Sequence, residues 1–216
     1  MIRLLILGST GLLGSTLLNY FSKQNNFKCF GAVRKKLDII KFKNIKNVKF
    51  YEINYENEKN ISKLFNKIKP NLIINCTGVV KQLAHKNRLS EIIRVNSFLP
   101  HYLAEIANLK KKVRFIHFST DCVFSGKRGK YQEIDFPDSQ DIYGRSKLLG
   151  ELTYSETLTL RTSIIGHELK TKYSLLNWFL DQKKSVNGYK NAIFSGLTSL
   201  EIAKILHKYI IPNANL

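Results

Sequence analysis

Cysteine is the first scarcity. Cys29, Cys76 and Cys122 are the only three in 216 residues, widely spaced and without a C-x-x-C pair. That pattern supports neither a disulfide framework nor a zinc site, and buried thiols are expected. Long apolar runs are missing too. The hydrophobic positions, 44% of the chain, come in blocks well short of the ~20 consecutive residues that cross a bilayer. Residues 1–7 lack the extended apolar region and small-residue cleavage site of a secretory signal. A cytoplasmic protein with no membrane partner is therefore expected. No stretch rich in proline, glycine or serine marks a linker, and no internal repeat is present.

Acidic residues are the other deficit, 16 Asp and Glu against 35 Lys and Arg, for a formal net charge of +19. A charge of that size raises the question of a polyanionic partner. The cations, however, are 27 Lys to 8 Arg, beside 19 Asn, 23 Ile and only 7 Ala, the skew that an AT-rich genome produces. They are scattered instead of forming one stripe, and no nucleic-acid-binding module is visible, so no nucleic-acid partner is expected. The histidines, His85, His101, His117, His167 and His207, show no metal-ligand spacing. They are expected as surface or satisfied core residues, with no metal.

What is present is alternation. Residues 2–7 are an apolar run closing on Gly8, and apolar residues then recur at helical spacing over 12–18, which predicts strand, tight turn and helix. Further strands are expected at 27–33, 48–53, 71–76, 113–118 and 158–165, and helices at 61–68, 92–109 and 144–152. Repeated strand–helix units imply an α/β fold, a doubly wound parallel sheet with helices on both faces. Beyond residue 165 the spacing predicts a helix at 175–180, a short strand at 192–194 and an amphipathic helix at 199–210 with Ser199 as its N-cap. The expected division is one α/β part over 1–165 and a small, interleaved lobe over 166–216. Trp178 and Phe179 are expected to pack within their helix.

Gly8-Ser9-Thr10-Gly11-Leu12-Leu13-Gly14 sits between the first strand and the first helix. In such a loop the first glycine permits the turn, the second admits a pyrophosphate to the backbone, and the third lets the helix pack closely. These seven residues are candidates for cradling a dinucleotide in a Rossmann-type fold. About 20 positions past the glycines, where the second strand ends, an acidic residue would favour NAD. Here Arg34 stands, followed by Lys35 and Lys36. A guanidinium suits a 2′-phosphate, so NADP(H) is favoured over NAD(H), with a simply solvated basic segment over 34–49 as the competing reading.

Tyr143 and Lys147 stand four residues apart, on one face if a helix runs there. A free phenol ionises near pH ~10; an adjacent ammonium would lower that value and make the pair an acid–base device. The spacing is common by chance and gains weight only from its company.

That company is Asn75-Cys76-Thr77-Gly78, Val95-Asn96, Ser119-Thr120-Asp121-Cys122-Val123-Phe124-Ser125-Gly126, Tyr131-x-Glu133-x-Asp135, Tyr143 to Glu151 and Leu160-Arg161-Thr162-Ser163, in that order. With these motifs the chain resembles the extended short-chain dehydrogenase/reductase family, most closely its dTDP-4-dehydrorhamnose reductase-like, sugar-nucleotide-binding branch. The resemblance implies that Thr120 hydrogen-bonds a reacting carbonyl, that Tyr143 is the acid, and that Lys147 is its partner and holds the nicotinamide ribose. Asn96 matches the family's helix asparagine and joins these three as a catalytic candidate. Cofactor contacts are implied for Cys76, Thr77 and Gly78, and substrate contacts for Asp121, Cys122, Val123, Phe124 and Arg161.

The implied reaction is NADPH-dependent reduction of a nucleotide-linked keto-sugar in surface-polysaccharide precursor synthesis, with a 4-keto-6-deoxy sugar foremost. A sugar-nucleotide epimerase that retains NAD and a non-catalytic regulatory subunit binding NADP or a nucleotide-sugar are the alternatives. A homodimer is left open. Cys122 stands where rhamnose-forming members usually carry Tyr, Ile164 where they carry an aromatic, and Phe194-Ser195-Gly196-Leu197-Thr198 replaces a Gly-x-Pro-Thr turn; the sugar stays open accordingly. Typical members run several tens of residues further, so a fragment or a shortened form is expected.

Overall fold

A computed structural model describes residues 1–84, 88–108, 113–154, 156–169 and 172–213. Six strands, β1 (Ile2–Leu7), β2 (Phe27–Val33), β3 (Val48–Glu52), β4 (Leu72–Asn75), β5 (Arg114–Phe118) and β6 (Thr157–Leu160), form one sheet in the order β3-β2-β1-β4-β5-β6. Every pairing is parallel. The helices are α1 (Leu12–Phe21), α2 (Glu58–Ile68), α3 (Lys81–Ala84), α4 (Leu89–Ile93), α5 (Leu99–Asn108), α6 (Ile142–Leu148), α7 (Leu175–Leu180) and α8 (Ser199–Ile205). This is the expected Rossmann-type α/β fold. The strand order, not the chain direction, reverses between β1 and β4, and ligands of such sheets bind outside the carboxyl ends of the strands at that point.

Both faces of the sheet are covered, which is why the central strands are apolar without alternation. On one face Leu5, Leu7, Ile73 and Phe115 pack against Ile61 and Phe65 of α2 and Leu103 and Ala107 of α5. On the other, Leu4, Ile6, Ile74 and Ile116 meet Leu13, Leu17 and Phe21 of α1 together with Ile202 and Ala203 of α8. α2 shows how local signals and burial agree. Asn57 caps it by accepting from the Asn60 N–H at 3.1 Å. Ile61, Leu64, Phe65 and Ile68 form one buried stripe, and Lys69 ends it in the left-handed region, φ +48°, before Pro70.

Several expected boundaries shift. The helix expected at 92–109 divides into α4, a π turn over Arg94–Phe98 and α5; Leu109, like His85, lies outside the described residues. The strand expected at 158–165 breaks at Arg161-Thr162-Ser163, because Arg161 and Ser163 turn to Glu151 and Asp121. The chain then leaves the sheet as β7 (Ile164–Ile165), which pairs in parallel with β8 (Leu197–Thr198). No strand forms at 192–194, where Ile193 is 96% exposed; three apolar residues with no sheet edge beside them have nothing to pair with.

The last helix is capped by Thr198, which accepts from the Glu201 N–H at 3.1 Å. Ser199, the expected cap, instead accepts from the Thr16 hydroxyl at 3.0 Å and fastens α8 to α1. α7 has no buried residue, and Trp178 and Phe179 are 41% and 57% exposed, contrary to the expected packing. The three thiols are free; Cys29 is buried, whereas Cys76 and Cys122 are only half-buried. Among the described residues no helix is long and apolar enough to cross a membrane.

Replacing Thr198 by Ala should lower unfolding stability by about 1 kcal/mol, read as a shift in the urea midpoint. An unchanged midpoint would return the cap to Ser199.

Candidate active site

The glycine loop is fixed by backbone contact. Gly8 has φ +71°, and a Cβ there would lie 2.7 Å from the carbonyl carbon and oxygen of Cys76, so no other residue lets the end of β1 meet the end of β4 this closely. A Cβ on Gly14 would fall 2.4 Å from the Gly8 oxygen. Ser9 is buried with its hydroxyl on the Ile6 carbonyl at 2.8 Å, and Leu13 belongs to the core. These two candidates therefore offer a ligand backbone only. Thr10 and Leu12 are half-buried and Gly11 is exposed. Gly11 is the N-cap of α1 and supplies no side-chain acceptor, nor is there an acid in the first turn. Among the described residues no side chain caps the amides of that turn, the arrangement that an anion-binding helix start uses.

Arg34 follows β2 and is exposed. Its charge is felt by Tyr55, whose hydroxyl accepts from the Gly8 N–H at 3.3 Å, so the guanidinium and the glycine loop share one neighbourhood.

The second group gathers at the end of β5. Asp141 caps α6 by accepting from the Gly144 N–H at 2.8 Å. A Cβ on Gly144 would lie 2.2 Å from the Cys122 oxygen, so α6 presses directly on the turn after Thr120. That contact brings Tyr143 beside Thr120, whose hydroxyl acts to lower the phenol's pKa. Thr120 is buried and accepts from the Cys122 N–H at 3.1 Å. One turn along α6, Lys147 is 4% exposed and donates to the Phe118 carbonyl at 2.6 Å. Tyr143 and Lys147 thus share one flank of α6, and both reach the last residues of β5.

Their electrostatics differ from expectation. Burial pushes the Tyr143 phenol up to about 12, partly opposed by the Thr120 hydroxyl, while Cys122, Asp121 and Asp141 add to the rise. Burial lowers Lys147 to about 8, against the charges of Cys76 and Glu151.

Asn96 does not reach the end of β5. It is fully buried in the π turn, accepts from the Val79 N–H at 2.7 Å, and donates to the Val79 carbonyl and the Ser146 hydroxyl, each at 3.1 Å. It therefore ties the 76–79 segment to α6, a positioning role. Gly78 lies beneath both: a Cβ there would be 3.5 Å from Asn96 Oδ1 and 3.9 Å from Lys147 Nζ.

The substrate candidates divide. Asp121 accepts from Thr120 and Ser163, and Cys122 is half-buried beside it. Val123 is fully buried and can serve only as wall. Phe124 stacks on Tyr131 with ring centroids 4.5 Å apart. Arg161 makes a two-pronged bond to Glu151, at 2.9 and 2.8 Å, and a third to the Glu133 carbonyl at 3.1 Å. Glu151 also accepts from the Ser119 hydroxyl at 2.7 Å. This network carries the turn and was not foreseen as one. Asn75 was also missed, although a lone polar residue closing the apolar run Leu72-Ile73-Ile74 was a legible signal.

The RmlD substrate binding domain family matches residues 2–174 of the chain. A dTDP-4-dehydrorhamnose reductase of Aggregatibacter actinomycetemcomitans is 33% identical over 168 residues, which cover 76% of this chain and 51% of that protein. The spore coat polysaccharide biosynthesis protein SpsK of Bacillus subtilis is 26% identical over 173 residues, 77% of this chain and 55% of the relative. Among solved structures, a dTDP-4-dehydrorhamnose reductase from Bacillus anthracis in complex with NADP superposes with a TM-score of 0.75 at 21% identity, covering 97% of this chain and 70% of that one. The chain spans about half the length of the curated relatives it matches.

Because Lys147 is lowered from 10.5 to about 8, the unfolded chain binds more protons than the folded one between those values, and stability rises with pH there. Relative to Lys147→Met, the wild type should gain up to about 3 kcal/mol as the pH rises from about 8 to about 10, measured by thermal unfolding. A pH-independent difference would show that the ammonium is not desolvated.

Proposed function

The chain belongs to the RmlD substrate binding domain family, and from that premise we propose that it carries out the NADPH-dependent reduction of a nucleotide-linked keto-sugar. The supporting observation is the convergence of Thr120, Tyr143 and Lys147 on the end of β5, in the same crevice as the Gly8 loop. The nicotinamide, when bound, supplies the hydride for the carbonyl carbon. Tyr143 supplies the proton. With its phenol at about 12 it is fully protonated at neutral pH, and it donates to the carbonyl oxygen as negative charge develops there. The Thr120 hydroxyl, which donates to Asp121 in this structure, turns to that oxygen as its second hydrogen-bond donor. Lys147 stands over Gly78 as the donor for ribose hydroxyls, and Asn96 keeps that floor in place.

The first-turn amides of α1 take the pyrophosphate, and Arg34 takes the 2′-phosphate, which gives the preference for NADP(H) over NAD(H). Asp121, Cys122 and Phe124 line the sugar side. Free thiols fit a reducing cytoplasm, the compartment we assign.

The test follows reduced-nicotinamide absorbance with a panel of keto-sugar nucleotides. The reading expects stoichiometric loss of NADPH, whereas turnover with no net loss would make the protein an epimerase. Tyr143→Phe should lower kcat by about 10²- to 10⁴-fold and leave NADPH affinity unchanged; full activity in that variant would remove the acid assignment. Arg34→Ala should weaken NADPH binding by about tenfold or more with NADH unaffected, and equal affinity of the wild type for both would defeat the NADP preference.

A further inference from the structure

His117 is a costly residue for the middle of a sheet. It lies on β5, fully buried, on the same face as Phe115. Its Nδ1 is 3.1 Å from the Asn75 Nδ2, and among the described residues its Nε2 has no hydrogen-bond partner. A leucine or phenylalanine would fill the place without burying two ring nitrogens. The one protein hydrogen bond the ring does make therefore calls for a reason.

The orientation of Asn75 is settled from its other end. Its Oδ1 lies 3.1 Å from the Thr77 backbone nitrogen and 2.6 Å from the Thr77 hydroxyl, and a backbone N–H can only donate. The amide nitrogen consequently faces His117 and donates to Nδ1, so the proton of the neutral ring sits on Nε2. Burial, with the nearby charges of Lys147 and His101, holds the imidazole well below its ordinary range and hence neutral. A charged ring would set an N–H against the amide's own hydrogens.

The relay ends on Thr77, between Cys76, which abuts Gly8, and Gly78, which lies under Lys147. We propose that His117 is a positioning residue: as the Nε2–H tautomer it anchors Asn75, which holds Thr77 and with it the 76–78 floor of the dinucleotide crevice. The functional consequence rests on the NADP(H) reading above, but the relay itself exists without cofactor and can be tested without it.

Nitrogen NMR of the cofactor-free protein should find His117 Nδ1 unprotonated and Nε2 protonated at neutral pH. The opposite tautomer or a charged ring would overturn the proposal. NADPH titration by fluorescence then tests the coupling. His117→Leu and Asn75→Leu should each weaken binding by about tenfold, and the double variant should be little worse than either, since both break one chain. Effects that multiply to about 100-fold would overturn the relay. His117→Asn keeps an acceptor at the Nδ1 position while leaving a larger void. It should unfold more easily than His117→Leu yet bind NADPH within about threefold of wild type; binding that instead tracks stability would make the role structural only. A wild type that binds no NADPH would sink the cofactor reading and leave the tautomer result standing. A wild type that binds, with His117→Leu unaffected, would sink this proposal alone.

Discussion

The architecture around β5 depends on one buried cation. Lys147 carries its ammonium into the protein interior, where the Phe118 carbonyl is its hydrogen-bond acceptor. Desolvating an ammonium is expensive, and among the described residues no carboxylate bonds it directly to offset that cost. The surroundings are correspondingly rigid. Ser146 is tied to Asn96 and Ser97, and Glu151 binds Ser119 and Arg161. A site that holds a charge at a chosen point needs such bracing, because any loosening would let the ammonium swing toward water.

Those braces come from separate parts of the chain. Asn96 belongs to a helix after β4, Glu151 follows α6, and Arg161 follows β6. Each contributes a polar or charged side chain, and each is satisfied by another polar side chain of the site or by backbone. The +19 charge plays little part in this bracing: the cations that take part, Lys147 and Arg161, are among the least exposed.

The sheet and the glycine loop were legible because they rest on strong, local regularities: apolar blocks at strand length and three glycines at a strand–helix junction. The pairing of Tyr143 with Lys147 on one flank was legible from their spacing. What the lysine bonds to was not, since helical periodicity names a face and says nothing of the acceptor across from it; the Phe118 carbonyl is supplied by tertiary structure. Similarly, Thr198 and Ser199 are chemically equivalent as caps. Only the position of Thr16 on α1 decides which hydroxyl is free to cap. The misplaced strand at 192–194 and the exposed aromatics of α7 share a cause: apolar residues predict burial only where a partner surface exists.

The seat of α8 on α1 has a consequence for biogenesis. Leu13, Leu17 and Phe21 emerge early from the ribosome, but the side chains that cover them, Ile202, Ala203 and Leu206, come from the opposite end of the chain. At translation speeds of about 5–20 residues per second, the nascent protein carries that greasy flank uncovered for roughly ten to forty seconds. Until α8 docks, the first βα unit keeps part of its apolar flank open to water.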